Sequence, residues 1–329
     1  MKISARTQLP GTVESAIRHV GFVIALAGIA TSASVGQTHA TRHRPGTLLV
    51  MNAASITLPV RAVLDSFRAR TGVKYELEPG ASLEIGRRFT ELNRTADVVF
   101  VADPEVFPQL LMPKYAHWYA LFARNRIVLA YTQRSRGAKE INSDNWRRVI
   151  TQRGVEVGRA DPNTDPSGYR TLLTMQLAEA HYRERGLFAR LLAAAPQRNV
   201  RPREADQVAL LQTNELDYIW TYQNLAENDG LQFVKLPDEI DLGNAADSAM
   251  YARASTRVLG KRQGDTLTMR GAPILFAFSI PTNAENPSLA EKFVAYVISA
   301  DGRRVLRSQH LDVLDEVITV GRELPAALK

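Results

Sequence analysis

The 329-residue sequence contains no cysteine, so disulfide bonds, thiol catalysis and cysteine-based zinc sites are excluded. Its six histidines are scattered without the spacing of metal ligands, which leaves a zinc or iron site unsupported. The sequence also lacks a Gly-x-Ser-x-Gly elbow and a P-loop. No familiar enzyme motif is therefore available to explain this chain.

A strong excess of one charge is missing as well. The 41 basic and 34 acidic residues give a formal net charge of +7. A nucleic-acid-binding surface would gather its Lys and Arg into a patch or stripe, but here they are scattered among acidic residues. We therefore expect no nucleic-acid partner. The length and the 45% hydrophobic content suffice for two cores of ordinary size.

Long hydrophobic runs are absent, and the N-terminal apolar stretch is short. Lys2, Arg6 and Arg18 precede about ten apolar residues at 21–30, and small and polar residues follow up to Ala40. A membrane-spanning helix needs about 20 apolar residues. This pattern is typical of a secretory signal, so we predict that residues 1–40 are a signal peptide and that the mature protein is periplasmic.

From residue 46 onward, short β-branched runs alternate with longer amphipathic ones, which predicts an α/β fold. The first elements are strands at 47–51, 74–77 and 96–101 and helices at 58–71 and 83–92. Strand patterns at 126–132 and 273–280 flank an α/β block. We therefore predict a discontinuous lobe I (41–126 plus 273–329), an inserted lobe II (127–272) and a ligand cleft between them. A last helix is predicted at 289–300.

Four aromatic residues, Tyr115, Trp118, Tyr119 and Phe122, have a helix-like spacing. They are candidates for an aromatic recognition patch, but the spacing favours a helix that packs into the core.

Three strand-to-helix junctions, at 52–55, 80–82 and 165–168, carry small or hydroxyl-bearing residues where a helix begins. Helix starts expose unpaired N–H groups and the positive end of the dipole, so they bind anions readily. Ser and Asp are also ordinary N-caps, and this alternative applies to each junction taken alone.

Several longer segments resemble one known family, in order along the chain. They are Ala81-Ser82, Ala96-Asp97-Val98, residues 110–125 and 128–132, Glu140-Ile-Asn142, residues 160–170, Arg201-Pro-Arg-Glu204 and Leu216-Asp-Tyr218. Together they resemble the archaeal-type molybdate/tungstate-binding proteins of ABC importers, from about residue 46 to about residue 302. The resemblance implies a two-lobed, type II periplasmic-binding-protein fold with two crossover strands.

The resemblance also implies a binding site for the oxyanion. Its ligand-binding residues would be Ser55, Ser82, the amide of Ser167, Tyr222, and two carboxylates bonded to the Mo or W centre, Asp165 and Glu204. Asp161 shares a loop with Asp165 and is a competing candidate.

A carboxylate facing a dianion is unfavourable by about 4 kcal/mol at 4 Å for an effective dielectric near 20. Mo(VI) and W(VI) centres accept additional hard oxygen ligands, which turns this repulsion into a bond. Without the resemblance, Asp165 is best interpreted as an N-cap for a helix at 168–180. Glu204 is then a first-turn acid on a helix at 205–212.

The chain departs from the family pattern at several places. Ser167 replaces the usual cysteine, Gln223-Asn224-Leu225 replaces a basic-Ser-Val segment, the stretch before Arg201 is shortened, and the usual Pro-Pro ending is missing. We expect a monomeric, non-enzymatic solute-binding protein that delivers its oxyanion to an ABC permease and has no cofactor besides this ligand. The alternatives are a receptor for sulfate, phosphate or chromate, or an exported enzyme on the same fold.

Overall fold

The computed structural model describes residues 46–260 and 264–328, which belong to a single compact unit. The predicted signal peptide, residues 1–40, lies outside these residues. In the described ranges, no helix has the length and apolar character needed to cross a membrane.

The described ranges contain thirteen strands: β1 Thr47–Ala53, β2 Lys74–Gly80, β3 Val98–Val101, β4 Trp118–Asn125, β5 Ile127–Tyr131, β6 Val157–Ala160, β7 Val200–Arg201, β8 Tyr218–Tyr222, β9 Gln232–Lys235, β10 Ser255–Leu259, β11 Thr266–Arg270, β12 Ile274–Ser279 and β13 Asp312–Gly321.

The same ranges contain eleven α-helices: α1 Thr57–Thr71, α2 Ser82–Leu92, α3 Trp146–Ile150, α4 Pro166–Tyr182, α5 Leu187–Ala194, α6 Asp206–Gln212, α7 Gln223–Asn228, α8 Asp238–Asp241, α9 Ser248–Tyr251, α10 Pro287–Ile298 and α11 Ala300–Arg307. A π-helical turn spans Phe107–Leu111, and 3₁₀ turns include Ala54–Ile56.

The first sheet has the strand order β13-β4-β12-β3-β1-β2. β1 runs parallel to β2 and β3, whereas β3, β12, β4 and β13 pair in antiparallel fashion. All seven residues of β1 are buried, as expected for a parallel strand covered on both faces. Phe100, Phe122 and Phe278 pack together in this core with ring centroids 5.5–5.7 Å apart.

The second sheet has the order β7-β6-β8-β5-β9. Its core includes Trp146 and Trp220, whose rings meet edge to face at 5.6 Å. β10 and β11 form a separate antiparallel hairpin. The α/β prediction is confirmed, and the described residues form two large sheets and one two-stranded hairpin.

The chain passes between the two sheets at two adjacent points. Arg126 alone separates β4 in the first sheet from β5 in the second, and residues 271–273 lead from the hairpin back to β12. Asn125 and Ile274 are direct partners in the ladder between β4 and β12, so the two passages lie side by side. This arrangement is a paired-strand connection suited to a hinge. The boundaries predicted for the two lobes stay predictions.

Most early elements lie where the sequence predicts them, but the aromatic segment does not. The predicted helix over Tyr115–Phe122 is wrong, because residues from Trp118 onward form β4. Trp118, Ala120 and Phe122 are buried at alternate positions, which is strand periodicity, and the small Ala120 hides it in the sequence. The predicted core packing of Trp118 and Phe122 is confirmed.

Candidate functional site

Two predicted serines lie at one edge of the first sheet. Ser55 sits in the 3₁₀ turn directly after β1, and Ser82 is the first residue of the helix that follows β2. Since β1 and β2 are parallel neighbours, their carboxyl ends meet at this edge. Both side chains are buried, and the Ser82 Oγ accepts a hydrogen bond from the Ala102 N–H at 2.9 Å. We call Ser55 and Ser82 the serine wall.

Asp165 lies immediately before α4 and acts as its N-cap. Its Oδ1 accepts a hydrogen bond from the N–H of Ser167 at 2.9 Å. This is the N-cap role that the sequence analysis gave as one of two alternatives for Asp165. The Ser167 amide predicted to bind the anion is therefore engaged with Asp165 in this structure. Asp165 is 5% exposed, so this cap lies inside the protein rather than on its surface.

Gly168 explains how the start of α4 reaches this position. A Cβ at residue 168 would lie 2.5 Å from the Ala160 carbonyl oxygen and 2.6 Å from the Asp161 carbonyl carbon. These atoms are backbone and cannot rotate away, so glycine is required for the helix to approach the loop after β6. The close approach holds Asp165 and Ser167 in the interior.

Glu204 lies between β7 and α6, with its side chain fully buried. Its N–H donates to the Asp165 Oδ2 at 2.9 Å, so the structure brings the two predicted carboxylate residues together. The Glu204 Oε1 accepts from the Tyr222 N–H at 2.5 Å and from the Thr221 hydroxyl. Its Oε2 is buried without a hydrogen-bond partner among the described residues. We call Asp165, Glu204 and Tyr222 the carboxylate wall.

Asp161, the competing candidate, is placed differently. It is half-buried, and its Oδ1 accepts from the backbone N–H of Asn163 at 2.9 Å. The residue next to Glu204 is Asp165, and Asp161 instead closes a turn in the loop that precedes α4.

The electrostatics of the carboxylate pair follow from burial. Burial raises the pKa of Asp165, although the N–H donors of Glu204 and Ser167 oppose this shift. Burial and then the charge of Asp165 raise the pKa of Glu204 from its ordinary 4.5 to about 8. The Glu204 carboxylate is thus unfavourable in the ligand-free site and would gain from a group that bonds to Oε2.

Tyr222, the last residue of β8, is fully buried. Burial raises its pKa well above 10, so the hydroxyl keeps its proton. Its oxygen accepts a hydrogen bond from Nη1 of Arg170 at 2.7 Å, and the same Nη1 donates to the Ala102 carbonyl at 2.5 Å. A single guanidinium therefore joins Tyr222 of the carboxylate wall to the loop after β3.

Arg170 and its partner Asp103 are site residues that the sequence reasoning missed. Nη2 of Arg170 lies 3.4 Å from the Asp103 Oδ1, and the Tyr169 hydroxyl donates to Oδ2 at 2.5 Å. The signal that could have found Arg170 is a cation in the first two turns of a helix, where the dipole disfavours positive charge unless a partner is present.

Asn224 was noted only as a departure from the family pattern, yet it links the two sheets. Its Nδ2 donates to the backbone carbonyl of Ser55 at 2.9 Å, and its Oδ1 accepts from Nδ2 of Asn125 at 2.5 Å. Asn224 therefore ties the Ser55 turn to the connection between the sheets.

Arg87 joins the outer edge of the site. Its Nη1 donates to the Asn163 carbonyl at 3.0 Å and its Nη2 to the Leu259 carbonyl at 3.1 Å. The Leu259 N–H donates in turn to the Asn163 Oδ1 at 3.1 Å. These contacts hold α2, the loop before α4 and the β10–β11 hairpin together.

A neighbouring cleft of about 450 Å³ is lined by Asp103, Tyr169, Arg170, Met269 and Arg270, among others. None of the six predicted ligand residues lines it. The buried serine and carboxylate walls thus lie outside this open cleft. Arg170 belongs to both regions, because it lines the cleft and also donates a hydrogen bond to Tyr222.

The fold is shared with solved structures. The sulfate-binding protein SubI of Mycobacterium tuberculosis matches with a TM-score of 0.59 and 14% identity, over 86% of this chain and 88% of that chain. The periplasmic molybdate-binding protein of Azotobacter vinelandii matches with a TM-score of 0.57 and 15% identity, over 82% of this chain and all of that one. The protein has the two-lobed, type II fold of periplasmic binding proteins, as the family resemblance implies.

The family model for bacterial extracellular solute-binding proteins matches residues 48–312, and the chain belongs to this family. An uncharacterized solute-binding protein of Petrotoga mobilis is 39% identical, over 79% of this chain and 82% of that protein. The molybdate/tungstate-binding protein WtpA of Pyrococcus abyssi is 30% identical, over 89% of this chain and 92% of that protein. Both relatives are named as binding proteins.

Proposed function

We propose that this protein captures molybdate or tungstate between the serine wall and the carboxylate wall and delivers it to the permease of an ABC importer. The observation that carries the proposal is the Glu204 carboxylate, which is fully buried against Asp165 and whose Oε2 has no hydrogen-bond partner in the described part of the chain. Ser55, Ser82 and Tyr222 would supply hydroxyl donors to the oxygens of the anion.

The sign of the electrostatic interaction supports this choice of ligand. While both groups are ionised, the buried carboxylate pair repels sulfate or hydrogen phosphate, whose centres do not add a fifth oxygen ligand. A Mo(VI) or W(VI) centre accepts a carboxylate oxygen as an additional hard ligand, and the interaction becomes attractive. Glu204 is the stronger candidate ligand, because both Asp165 oxygens already accept backbone N–H bonds.

The relatives support the same proposal. The name of the Pyrococcus abyssi protein, aligned over most of this chain, states that it binds molybdate and tungstate. The structural match to a sulfate-binding protein supports the fold alone, so sulfate remains an outcome for the experiment to test. Periplasmic location after export through residues 1–40, and action as a monomer, are parts of the proposal that follow from the sequence.

The test is a thermal-shift comparison of molybdate, tungstate, sulfate and phosphate at equal concentration. A ligand that binds only the folded protein raises its melting temperature. We expect shifts of several degrees with molybdate and tungstate and little change with the other two anions. Equal shifts with all four would show a general oxyanion receptor, and no shift with any of them would refute the proposal.

A further inference from the structure

The Tyr222 hydroxyl is engaged as an acceptor and retains its proton for donation. Its oxygen already accepts from Arg170 Nη1 at 2.7 Å, and its proton has no acceptor among the described residues. The burial of Tyr222 excludes bulk water as the routine acceptor. A hydroxyl in this state offers a proton to whatever occupies the site.

Ser82 is arranged in the same way on the opposite wall. Its Oγ accepts the Ala102 N–H at 2.9 Å, and its proton has no acceptor in the described ranges. The carbonyl of that same Ala102 accepts from Arg170 Nη1 at 2.5 Å. Ala102 and the Arg170 guanidinium therefore occupy one acceptor position on each of the two hydroxyls and leave their protons available.

We propose that Arg170 is a positioning residue that fixes the Tyr222 hydroxyl as a hydrogen-bond donor. Together with the Ala102 N–H acting on Ser82, it leaves two hydroxyl donors for the oxygens of the bound anion. This inference rests on the function proposed above. An anion oxygen without a proton accepts from these donors, and a buried donor that is left unpaired is costly.

The alternative role for Arg170 is plain charge attraction. Two features disfavour it: the guanidinium is paired with Asp103, and Nη1 is already engaged with Tyr222 and Ala102. The two roles predict different behaviour when Tyr222 changes. Charge attraction acts on the anion whatever residue 222 is, whereas positioning requires the hydroxyl.

The test is a double-mutant cycle on molybdate affinity with Arg170→Met and Tyr222→Phe. We expect Arg170→Met to weaken binding about tenfold in the wild-type background, which corresponds to one charge-assisted hydrogen bond. In the Tyr222→Phe background we expect Arg170→Met to weaken binding about threefold or less. This smaller loss reflects the hydrogen bond from Arg170 to the Ala102 carbonyl, which Tyr222→Phe leaves in place. Equal losses in the two backgrounds would overturn the proposal.

A second variant separates geometry from charge. Arg170→Lys keeps the positive charge but loses the planar donor fork, so it should not restore affinity if positioning is the role. Full restoration by Lys would contradict the proposal. If Arg170→Met fails to fold because Asp103 is left unpaired, the cycle is run with Arg170→Met combined with Asp103→Asn, against Asp103→Asn as the reference.

Selectivity provides a readout that a merely structural role would not change. We expect Arg170→Met to lower the ratio of tungstate affinity to phosphate affinity, because a freed Tyr222 hydroxyl can accept the proton of hydrogen phosphate. Parallel losses for both anions would contradict the claim. If the wild-type protein binds no oxyanion, the proposed function fails as well; if it binds molybdate and the cycle is additive, only the role of Arg170 fails.

Discussion

The two walls of the site differ in how much of their bonding capacity the protein uses. On the serine wall, Ser82 accepts one hydrogen bond, and its proton has no acceptor within residues 46–260 and 264–328. On the carboxylate wall, both Asp165 oxygens and one Glu204 oxygen are occupied, which leaves the buried Oε2. Under the function proposed above, the serine wall would suit any oxyanion, whereas the carboxylate wall would penalise every anion whose centre cannot bond to it. Selectivity should therefore reside on the carboxylate wall.

The largest expected effect comes from Glu204→Gln. Glutamine keeps an acceptor for the Tyr222 N–H but cannot bond to the metal as an anion, so molybdate binding should weaken by tenfold or more, about 1.4 kcal/mol. Isothermal titration with molybdate and with sulfate shows whether the affinity for each anion falls or rises. If Glu204 merely repels the anion, the substitution would instead raise both affinities. Asp165→Ala and Asp161→Ala in parallel show which loop carboxylate contributes.

A somewhat smaller effect is expected when the carboxylate wall is displaced rather than altered chemically. Gly168→Ala places a Cβ against the backbone of Ala160 and Asp161, which should reduce stability by about 1–3 kcal/mol. Molybdate affinity should fall as well, because Asp165 moves with the start of α4. Urea unfolding and titration measure the two effects. Gly186→Ala, at a residue far from the site, is the control: it should lower stability, since φ is 80° there, and leave affinity unchanged.

Ser82→Ala tests the serine wall. It removes one hydroxyl donor and leaves the Ala102 N–H without its partner, so affinity should fall by about 0.5–1.5 kcal/mol. The loss should be similar for molybdate, tungstate and any weakly bound sulfate. A loss confined to molybdate and tungstate would place selectivity on the serine wall and reverse the comparison.

The pH dependence of the ligand-free protein is an independent test of the buried Glu204 carboxyl. The folded protein holds a proton on Glu204 up to about pH 8, whereas the unfolded chain loses it near pH 4.5. Between these values the unfolded state binds fewer protons, so the free energy of unfolding falls as pH rises. Urea unfolding across this window should show the decline, and Glu204→Gln should flatten it. An unchanged slope in the variant would assign the decline to other groups.

The sequence predicted the local features of this site well. Small and hydroxyl-bearing residues before apolar periodicity marked the starts of α2 and α4, and the N-cap alternative for Asp165 is what the structure shows. Helix starts and N-caps depend on residues within one helical turn of each other, so a short stretch of sequence is enough to predict them.

Local sequence patterns could not predict the hydrogen bonds between residues that are far apart in the chain. Arg170 bonds to partners 52 and 68 residues away, and Asn224 to one 169 residues away. No periodicity encodes such pairs, because they arise from how the two sheets meet. β13 was missed for a related reason: it is an edge strand with mostly exposed side chains and little hydrophobic alternation.

The central claim is that a protein carboxylate bonds to the metal of the captured oxyanion, and X-ray absorption on the tungstate complex tests it most directly. Metal bonding adds oxygen neighbours to the tungsten, so the wild-type complex should show more than four, and Glu204→Gln should show fewer than the wild type. A plain tetrahedral ion with four oxygen neighbours in both proteins would contradict the account.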